Sequence, residues 1–368
     1  MKKKTILHLI TTIERGGAEK QLLVLVNQQI LLGFQVEVVY LKGASELQVE
    51  LEKLGASVRS EIANQSFFRQ IFGFHGLIHD RGKYIVHAHL PKSELLAALV
   101  CRKSQFIVTR HNTEPFWPKG PRIFSTFISL YVTFKAAGVI AISQAVSQYL
   151  LDNHEILSKN KIKVIRYGFD PKSELNLFNP PVFPLPNAEE PRSIRIGTIG
   201  RLVPQKDYPT LLNAFSELLK VDSRPLLYII GDGFLGSELR QLCIELNIQD
   251  KVFFLGKTEN VLGFLDSIDL FVLTSKYEGF GLVLLEAMSR EKPIVAANNS
   301  AIPEVLGENY SGLFQTSNQR ELTLKLVSTI QLETRLELKK ELKDRLELFT
   351  PEKMTQNTHA YYIEKALL

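Results

Sequence analysis

The chain has 368 residues, of which 45% are hydrophobic and 23% charged, a composition typical of a globular protein long enough for two domains. Its only cysteines, Cys101 and Cys243, provide neither a disulfide framework nor a metal-ligand spacing, which fits a reducing compartment. Residues 1–180 contain 23 lysines and arginines against 14 acidic residues, a net charge of +9, whereas the remainder contains 21 against 25. This asymmetry favours an anionic partner or surface for the N-terminal half.

The first residues, MKKKTILHLI, have the basic start of a secretory signal. The apolar stretch runs only from Ile6 to Ile10 and is interrupted by His8, so it is too short for a signal peptide. We therefore predict a buried strand at this point. We also expect no membrane-spanning helix, because no segment approaches the roughly 20 apolar residues that such a helix requires.

Both halves alternate short apolar runs with helical patterns. This alternation predicts an α/β fold with two doubly wound parallel sheets, each covered by helices on both faces. Strands are predicted at residues 5–10, 36–41, 85–88, 106–109, 139–142 and 163–165, and at 195–199, 226–230, 252–255, 270–273 and 293–296. Helices are predicted at 18–32, at 210–219 and within the charged region 322–348. A last helix is predicted to start at Thr350, whose hydroxyl suits an N-cap and which precedes Pro351.

A cluster of prolines marks the predicted boundary between the two domains. Five prolines fall between residues 180 and 191, and neither a helix nor a central strand tolerates that density. We therefore predict a linker at about 180–192, between an N-terminal domain of residues 1–180 and a C-terminal domain of residues 181–349.

The segment SKYEGFGLVLLEAM, residues 275–288, places two glutamates beside a predicted anion site. Glu278 lies in a glycine-flanked turn after a predicted strand, and Glu286 lies in a helix that begins near Leu282. The free N–H groups at a helix start bind anions. Carboxylates repel an anion but accept hydrogen bonds from hydroxyls, so the pattern indicates a phosphate joined to sugars.

Two other loops of the same half follow predicted strands. Gly200 begins a loop that contains Arg201 and Lys206, and these two cations suit phosphate binding. Gly231 begins a Gly-Asp-Gly turn, where glycine permits a close approach of the backbone to a ligand. The longer G-x-G-x-x-G fingerprint of dinucleotide-binding proteins is absent there, which argues against a dehydrogenase.

In the N-terminal half, Gly16 and Gly17 join the first predicted strand to a helix and allow N–H groups to reach an anion. His87, His89 and His111 lie at the ends of two predicted strands. No carboxylate or third ligand at a recognisable spacing supports a metal site. We therefore interpret His111 as a residue that bonds substrate hydroxyls.

In this order and spacing, the motifs resemble those of glycosyltransferase family 4, whose members are retaining enzymes with the GT-B fold of two facing Rossmann-like domains. The resemblance runs from GGAE at 16–19 to the last helix and rests chiefly on GRL and QK within 200–206, GDG at 231–233 and EGFGLVLLEAM at 278–288. It implies that the helix within 350–368 crosses back to the N-terminal domain. It also implies a cytoplasmic enzyme of cell-surface polysaccharide, lipopolysaccharide or glycolipid synthesis.

The resemblance further implies roles for individual residues. Arg201 and Lys206 bind the donor diphosphate, Glu278 contacts the transferred sugar, and Glu286 binds the ribose hydroxyls. The implied catalytic residues are Arg201, Lys206, Glu278 and His111, and the implied donor-binding residues are Gly16, Gly17, Gly200, Gly231, Phe280, Gly281, Leu282 and Glu286. Two positions depart from the family pattern: Tyr167 stands where asparagine is usual, and Ser300-Ala301 where a glycine pair is common, which adds bulk to the donor-sugar pocket.

The implied activity is transfer of a hexose-type sugar from a nucleotide diphosphate sugar to an acceptor hydroxyl, with retention at the anomeric carbon. The cations and N–H groups would stabilise the charge on the departing diphosphate. We therefore expect no metal and no permanently bound cofactor, and the Asp-x-Asp motif of metal-dependent transferases is absent. The alternatives are a mechanism with two glycosidase-like carboxylates, a nucleotide-sugar 2-epimerase of the same fold, and a non-catalytic sugar-binding protein. No motif supports nucleic-acid binding.

Aromatic and basic residues are interleaved in the N-terminal half, as in FFRQIFGF at 67–74 and FWPKGPRIF at 116–124. Such a face suits an anionic membrane, so we predict contact with the inner face of the membrane and a sugar or lipid-linked glycan as acceptor. The alternative, ordinary packing of these residues inside the protein, stays open at this point.

Overall fold

The computed structural model describes residues 4–80, 82–118, 120–171, 183–187 and 193–368. The chain divides into two compact units, the first comprising Met1–Phe169 and Phe349–Leu368 and the second Asp170–Leu348. Most of the predicted linker at 180–192 lies outside the described residues.

The first unit is built on a seven-stranded sheet with the order β3-β2-β1-β4-β5-β6-β7, parallel throughout. The order reverses between β1 and β4, as in a doubly wound sheet with helices on both faces. The strands are β1 (Thr5–Ile10), β2 (Val36–Tyr40), β3 (Ser57–Arg59), β4 (Tyr84–His89), β5 (Phe106–Arg110), β6 (Gly138–Ala141) and β7 (Ile162–Val164).

Helices alternate with these strands along the first unit: α1 (Gly17–Leu31), α2 (Gln48–Leu54), α3 (Phe67–Leu77), α4 (Pro91–Val100), α5 (Arg122–Lys135) and α6 (Gln144–Asp152). All six residues of β1 are buried, as expected for a central strand that is covered on both faces. Helix α4 packs against both α3 and α5.

The second unit contains a six-stranded parallel sheet with the order β10-β9-β8-β11-β12-β13. Its strands are β8 (Ile194–Ile199), β9 (Pro225–Ile230), β10 (Val252–Gly256), β11 (Leu270–Leu273), β12 (Ile294–Asn298) and β13 (Leu313–Gln315). Its helices are α7 (Tyr208–Val221), α8 (Gly236–Glu245), α9 (Val261–Ser267), α10 (Leu282–Ser289), α11 (Ile302–Leu306), α12 (Gln319–Ser328) and α13 (Leu332–Glu341). The strand order again reverses, here between β8 and β11.

The last helix, α14 (Pro351–Glu364), belongs to the first unit and packs on α1. The hydroxyl of Thr350 caps it by accepting a hydrogen bond from the N–H of Lys353. Near its end, Lys4 Nζ donates to the Leu367 carbonyl at 2.6 Å.

The predicted α/β fold with two parallel sheets is confirmed, and each predicted strand corresponds to an observed one. Two observed strands, β3 and β13, were not predicted. Each has three residues at a sheet edge, too few for an alternating pattern to be visible. Among the described residues, none of the helices combines the length and the apolar character needed to cross a bilayer.

Candidate active site

The candidate site of the second unit lies where the strand order reverses. In doubly wound sheets, the crevice at the carboxyl ends of two such strands binds ligands. Here those strands are β8 and β11. The loop after β8 contains Arg201 and Lys206, and the loop after β11 contains Glu278. All three residues, which the sequence placed in loops after strands, therefore follow the two strands of the reversal.

Lys206 and Glu278 form a direct ion pair. Lys206 Nζ donates to Glu278 Oε1 at 2.5 Å, and the Ser275 hydroxyl donates to the same oxygen at 2.6 Å. Glu278 is only 7% exposed. A buried carboxylate needs such partners to stay ionised, and a nearby cation together with a hydroxyl donor meets that need. The pair thus presents a fixed anion and a fixed cation side by side.

Three further hydrogen bonds join the two loops. The Lys276 N–H donates to the Gln205 carbonyl at 2.7 Å, and the Gln205 amide donates to the Tyr277 carbonyl at 2.9 Å. The Thr274 hydroxyl donates to the Lys206 carbonyl at 2.7 Å. The backbone that holds Lys206 is therefore fixed against the backbone that holds Glu278. By contrast, the Arg201 side chain is exposed, and its Nη2 lies 3.4 Å from Gln205 Oε1.

Gly231 lies where the loop after β9 touches the loop after β8. It has φ +138°, and a Cβ atom added to it would lie 1.9 Å from the carbonyl oxygen of Gly200. The Gly200 N–H donates to Ile230 and the Gly231 N–H to Gly256, at 2.9 and 2.8 Å. Only glycine fits this contact, which holds the loop that contains Arg201 and Lys206 in position.

Replacing Gly231 with alanine should destabilise the second unit by about 2 to 4 kcal/mol, because the new Cβ must displace the Gly200 carbonyl as well as adopt a positive φ. Gly256→Ala is the matched control: Gly256 also has a positive φ, but a Cβ there meets nothing within 4 Å, so the cost should be about 1 kcal/mol. Urea denaturation followed by circular dichroism measures both. Equal losses in the two variants would contradict the close contact.

The segment from Phe280 to Glu286 provides a helix start beside the ion pair. Gly281 is the N-cap of α10, with φ +85° and no side-chain cap; the Leu284 N–H donates to the Gly281 carbonyl at 2.9 Å, and the N–H groups of Leu282 and Val283 at the helix start can bind an anion. Phe280, before it, is buried, and Leu282 is the first residue of the helix. Glu286, on α10, is also buried.

The two residues that replace the usual glycine pair follow β12. Ser300 has φ +47°, a left-handed conformation that glycine adopts freely and serine only at a cost, and Ala301 is fully buried. Asn299, just before them, donates through Nδ2 to the Ser275 carbonyl at 2.8 Å and to the Thr316 hydroxyl at 2.6 Å. The backbone therefore keeps a glycine-type conformation although serine occupies the position.

In the first unit, carboxylates lie beside the Gly16-Gly17 loop that was predicted to bind an anion. Gly16 is the N-cap of α1, Gly17 is its first residue, and the Gly16 N–H donates to the Glu14 carbonyl at 3.0 Å. A Cβ on Gly16 would lie 2.3 Å from Glu19 Oε2. Burial raises the pKa of Glu19, whose other oxygen accepts from the Thr12 hydroxyl at 2.5 Å. In its ionised form this carboxylate opposes an anion at the loop.

A hydrogen-bonded row of histidines lies at the strand-order reversal of the first unit. Tyr167 OH bonds to Nδ1 of His111, and Nε2 of His111 lies 3.3 Å from Nδ1 of His89. His89 Nε2 lies 3.0 Å from Nδ1 of His8, whose Nε2 lies 2.8 Å from Oε1 of Gln29. Burial lowers the pKa of His8 to about 4 and that of His111 to about 3. It also lowers the pKa of His89 well below the usual range, so the row is neutral at pH 7.

Both ring nitrogens of His111 therefore have partners within the first unit. One of the two is Tyr167, the residue that stands where the family usually has asparagine. A sugar hydroxyl that approached His111 would have to share a nitrogen with Tyr167 or His89. The structure thus links the unusual residue to the predicted site residue.

His8, His87 and His89 also form a group whose ligand atoms lie within 4.8 Å of one another, a possible metal cluster. His8 was absent from the predicted set; in the structure it lies opposite His87 on the adjacent strand β4. His87 bonds to Tyr362 OH and to the Thr109 hydroxyl, at 2.6 Å each. All six ring nitrogens of the three histidines are hydrogen-bonded within the protein, which accounts for the cluster without a metal.

Comparison with known proteins agrees with this fold and site. A glycosyltransferase family 4 model matches residues 15–173, and a model of glycosyl transferases group 1 matches residues 186–347. The two matches cover most of the chain. The chain therefore consists of a glycosyltransferase family 4 domain followed by a glycosyl transferases group 1 domain in the GT-B fold, which confirms the resemblance inferred from its motifs.

Individual relatives are more distant. The putative glycosyltransferase EpsF of Bacillus subtilis is 24% identical over 313 residues, which are 81% of this chain and 80% of that protein. A Campylobacter jejuni enzyme, N-acetylgalactosamine-N,N'-diacetylbacillosaminyl-diphospho-undecaprenol 4-alpha-N-acetylgalactosaminyltransferase, is 28% identical over 169 residues, 45% of this chain and 46% of its own length. Several of the most similar curated relatives are matched over no more than about half of their length, namely 49, 26 and 47%.

Among solved structures, Anabaena Alr3699/HepE in complex with UDP and glucose has a TM-score of 0.80 at 21% identity. The match covers 98% of this chain and 100% of that one. At this identity the likeness establishes the GT-B fold and no more.

Proposed function

We propose that the protein transfers a hexose-type sugar from a nucleotide diphosphate sugar to an acceptor hydroxyl, with retention at the anomeric carbon. The observation that carries this proposal is the fixed Lys206–Glu278 pair at the strand-order reversal, beside the helix start at Gly281. A cation and open N–H groups suit a diphosphate, whereas a buried carboxylate suits sugar hydroxyls. The UDP and glucose bound by Alr3699/HepE are consistent with such a donor.

Each residue of the second unit then has a defined task. Lys206, Arg201 and the N–H groups that follow Gly281 stabilise negative charge on the departing diphosphate. Glu278 accepts hydrogen bonds from the transferred sugar, and Glu286 from the ribose. The departing phosphate oxygen takes the proton of the acceptor hydroxyl as the new glycosidic bond forms. These cations replace a metal in the proposal, and no permanently bound cofactor is required.

Other predicted residues have supporting roles in the proposal. Gly200 and Gly231 shape the loop that holds the two cations, through the close contact described above. In the proposal, Gly16 and Gly17 approach the donor phosphates through their N–H groups, and His111 bonds a substrate hydroxyl. A donor at these residues lies beside the carboxylate of Glu19 and the hydroxyl of Tyr167.

A panel of UDP-, GDP- and ADP-sugars in a thermal-shift assay tests the donor class. A ligand that binds the folded state raises Tm with increasing concentration, so we expect one nucleotide series to stand out. Free sugars and inorganic phosphate are the controls. No shift with any nucleotide sugar at millimolar concentration would overturn the proposal.

The anomeric configuration of the product, determined by NMR in a reaction with the donor found in the panel, tests the chemistry. Retention is expected. Inversion would refute the proposed route, and release of an epimerised sugar from the donor alone, without an acceptor, would establish an epimerase instead.

We further propose that the protein works in the cytoplasm, at the inner face of the membrane, in the synthesis of a cell-surface polysaccharide or glycolipid. The diphospho-undecaprenol in the name of the Campylobacter jejuni relative is consistent with a lipid-linked acceptor. The net charge of +9 over residues 1–180 is consistent with an anionic surface.

A further inference from the structure

Helix α5 has an inverted arrangement: it buries small, mostly polar side chains and exposes large apolar ones. The buried residues are Ser125, Ser129, Val132 and Thr133. The large side chains on the other face are between 41 and 70% exposed; they are Ile123, Phe124, Phe127, Tyr131 and Phe134. Their spacing puts them along one side of the helix. A surface helix ordinarily does the reverse, so this face calls for a partner.

The orientation of α5 is fixed by a buried polar network. Arg110 contacts Glu94 at 2.7 Å and Glu155 at 3.0 Å, and all three side chains are buried. Ser129 accepts from Arg110 Nη2 and donates to Glu155 Oε2, at 2.9 Å each. The Ser125 hydroxyl accepts from the backbone N–H of residue 117 at 2.8 Å. Rotating the helix to bury its aromatic side chains would remove the Ser125 and Ser129 hydroxyls from these hydrogen bonds, so the exposure of the aromatic face is built into the fold.

The surroundings of this face are basic. The sequence of α5, RIFSTFISLYVTFK, contains no acidic residue and has a cation at each end, Arg122 and Lys135. Lys103 Nζ lies 3.9 Å from the ring centroid of Phe134, and Lys161 Nζ lies 5.9 Å from it. Trp117, just before the helix, is half exposed. Aromatic rings surrounded by lysine and arginine suit the interface of an anionic bilayer, where rings enter the headgroup region and cations contact phosphates.

The structure also corrects the membrane face predicted from sequence. Phe74 and Phe116 were part of it, but both are buried in the core, and Lys119 lies outside the described residues. Phe68 and Phe72, on α3, are exposed as that prediction requires. The prediction also included Trp117 and Phe124, which are exposed, but not Phe127, Tyr131 and Phe134, which extend the exposed apolar face along α5.

We propose that the aromatic face of α5, together with Trp117, docks the protein on the headgroup region of an anionic phospholipid bilayer. Docking would bring the enzyme to a lipid-linked acceptor, and this purpose rests on the proposed function. The docking itself does not depend on it. The docking residues belong to the first unit and include none of the donor-binding residues of the second.

Vesicle flotation tests the docking. One set of vesicles contains phosphatidylcholine alone, and the other contains about 30% phosphatidylglycerol, which makes it anionic. The protein should float with the anionic vesicles at low salt and far less with neutral ones. The triple variant Phe124→Ser, Phe127→Ser and Phe134→Ser should lower the partition coefficient by about tenfold or more, because three exposed rings are lost. The control, Phe234→Ser, removes a still more exposed ring from the second unit and should bind like the wild type.

Trp117 is the only tryptophan, so its emission should shift to shorter wavelength on anionic vesicles. Wild-type flotation by the triple variant, or no flotation at low salt, would overturn the proposal. A dimer that the triple variant abolishes, without vesicle binding, would instead assign the face to a second copy of the chain. Thermal shifts with nucleotide sugars should be the same in all these variants, so a failure of docking is separable from a failure of the proposed function.

Discussion

Replacing Lys206 with alanine should lower kcat for sugar transfer by roughly 100-fold or more, the scale of a lost donor to charge that develops in a transition state. Lys206 is held beside Glu278 by the hydrogen bonds between their loops, so its charge is fixed in position. Release of the nucleoside diphosphate at saturating donor measures the effect. Arg201→Ala should also lower turnover, although its side chain is exposed rather than fixed.

Lys220→Ala is the matched control, because Lys220 lies on α7 of the same unit and pairs only at the surface, with Glu217. It should retain full activity. Glu278 keeps its hydrogen bond from Ser275 in the Lys206→Ala variant, so the unit should stay folded, which circular dichroism can verify. Turnover by a folded Lys206→Ala variant within twofold of the wild type would refute the role of Lys206.

The first unit should lose several kcal/mol of stability as the pH falls from about 6.5 to 4. Burial lowers the pKa of His8 to about 4 and that of His111 to about 3, and it lowers those of His87 and His89 well below 6.5. Above pH 6.5 these histidines are neutral in both the folded and the unfolded state, so they do not lower the free energy of unfolding. Below it, the unfolded chain binds protons that the folded unit does not, which costs about 1.4 kcal/mol per pH unit for each histidine.

Two carboxyl groups oppose this trend. Burial raises the pKa of Glu94 to about 7 and also raises the pKa of Glu19, so their protonation on acidification favours the folded state, but they are two groups against four histidines. Chemical denaturation followed by Trp117 fluorescence reports on this unit. His87→Gln should reduce the pH dependence by about one proton, whereas His79→Gln, at an exposed position, should leave it unchanged. A stability that is constant between pH 7 and 5 would contradict the neutral histidine row.

The fold and the second-unit site were largely predictable from the sequence because local signals coincide with them. Apolar runs identify the central strands, and glycines with adjacent cations or acids identify loops at strand ends. In a parallel sheet those loops share one edge, so Lys206 and Glu278, 72 residues apart, could be expected to meet. The family resemblance added their order and spacing. The hydrogen bonds of Gln205 and Asn299 could not be predicted from the sequence, because isolated amide side chains form no periodic or glycine-containing motif.

Two features of the first unit depend on tertiary structure and could not be predicted in this way. His8 sits in an apolar strand, and it becomes part of a row only through its register opposite His87. Helix α5 exposes its aromatic side because Arg110 and Glu155, distant in sequence, bind its hydroxyl groups. Hydrophobic periodicity alone would have assigned that aromatic side to the core.

The most direct test of the account is calorimetric titration of the preferred nucleotide sugar into the wild type, Glu286→Gln and Glu291→Gln. Glu286 is buried on α10 in the proposed ribose site, whereas Glu291 lies exposed just beyond the helix and pairs with Lys339. Loss of a charge-assisted hydrogen bond should weaken donor binding by about 10- to 100-fold in Glu286→Gln. The Glu291→Gln variant should bind like the wild type. Equal affinity in all three proteins would contradict the ribose contact of Glu286 and with it the proposed placement of the donor.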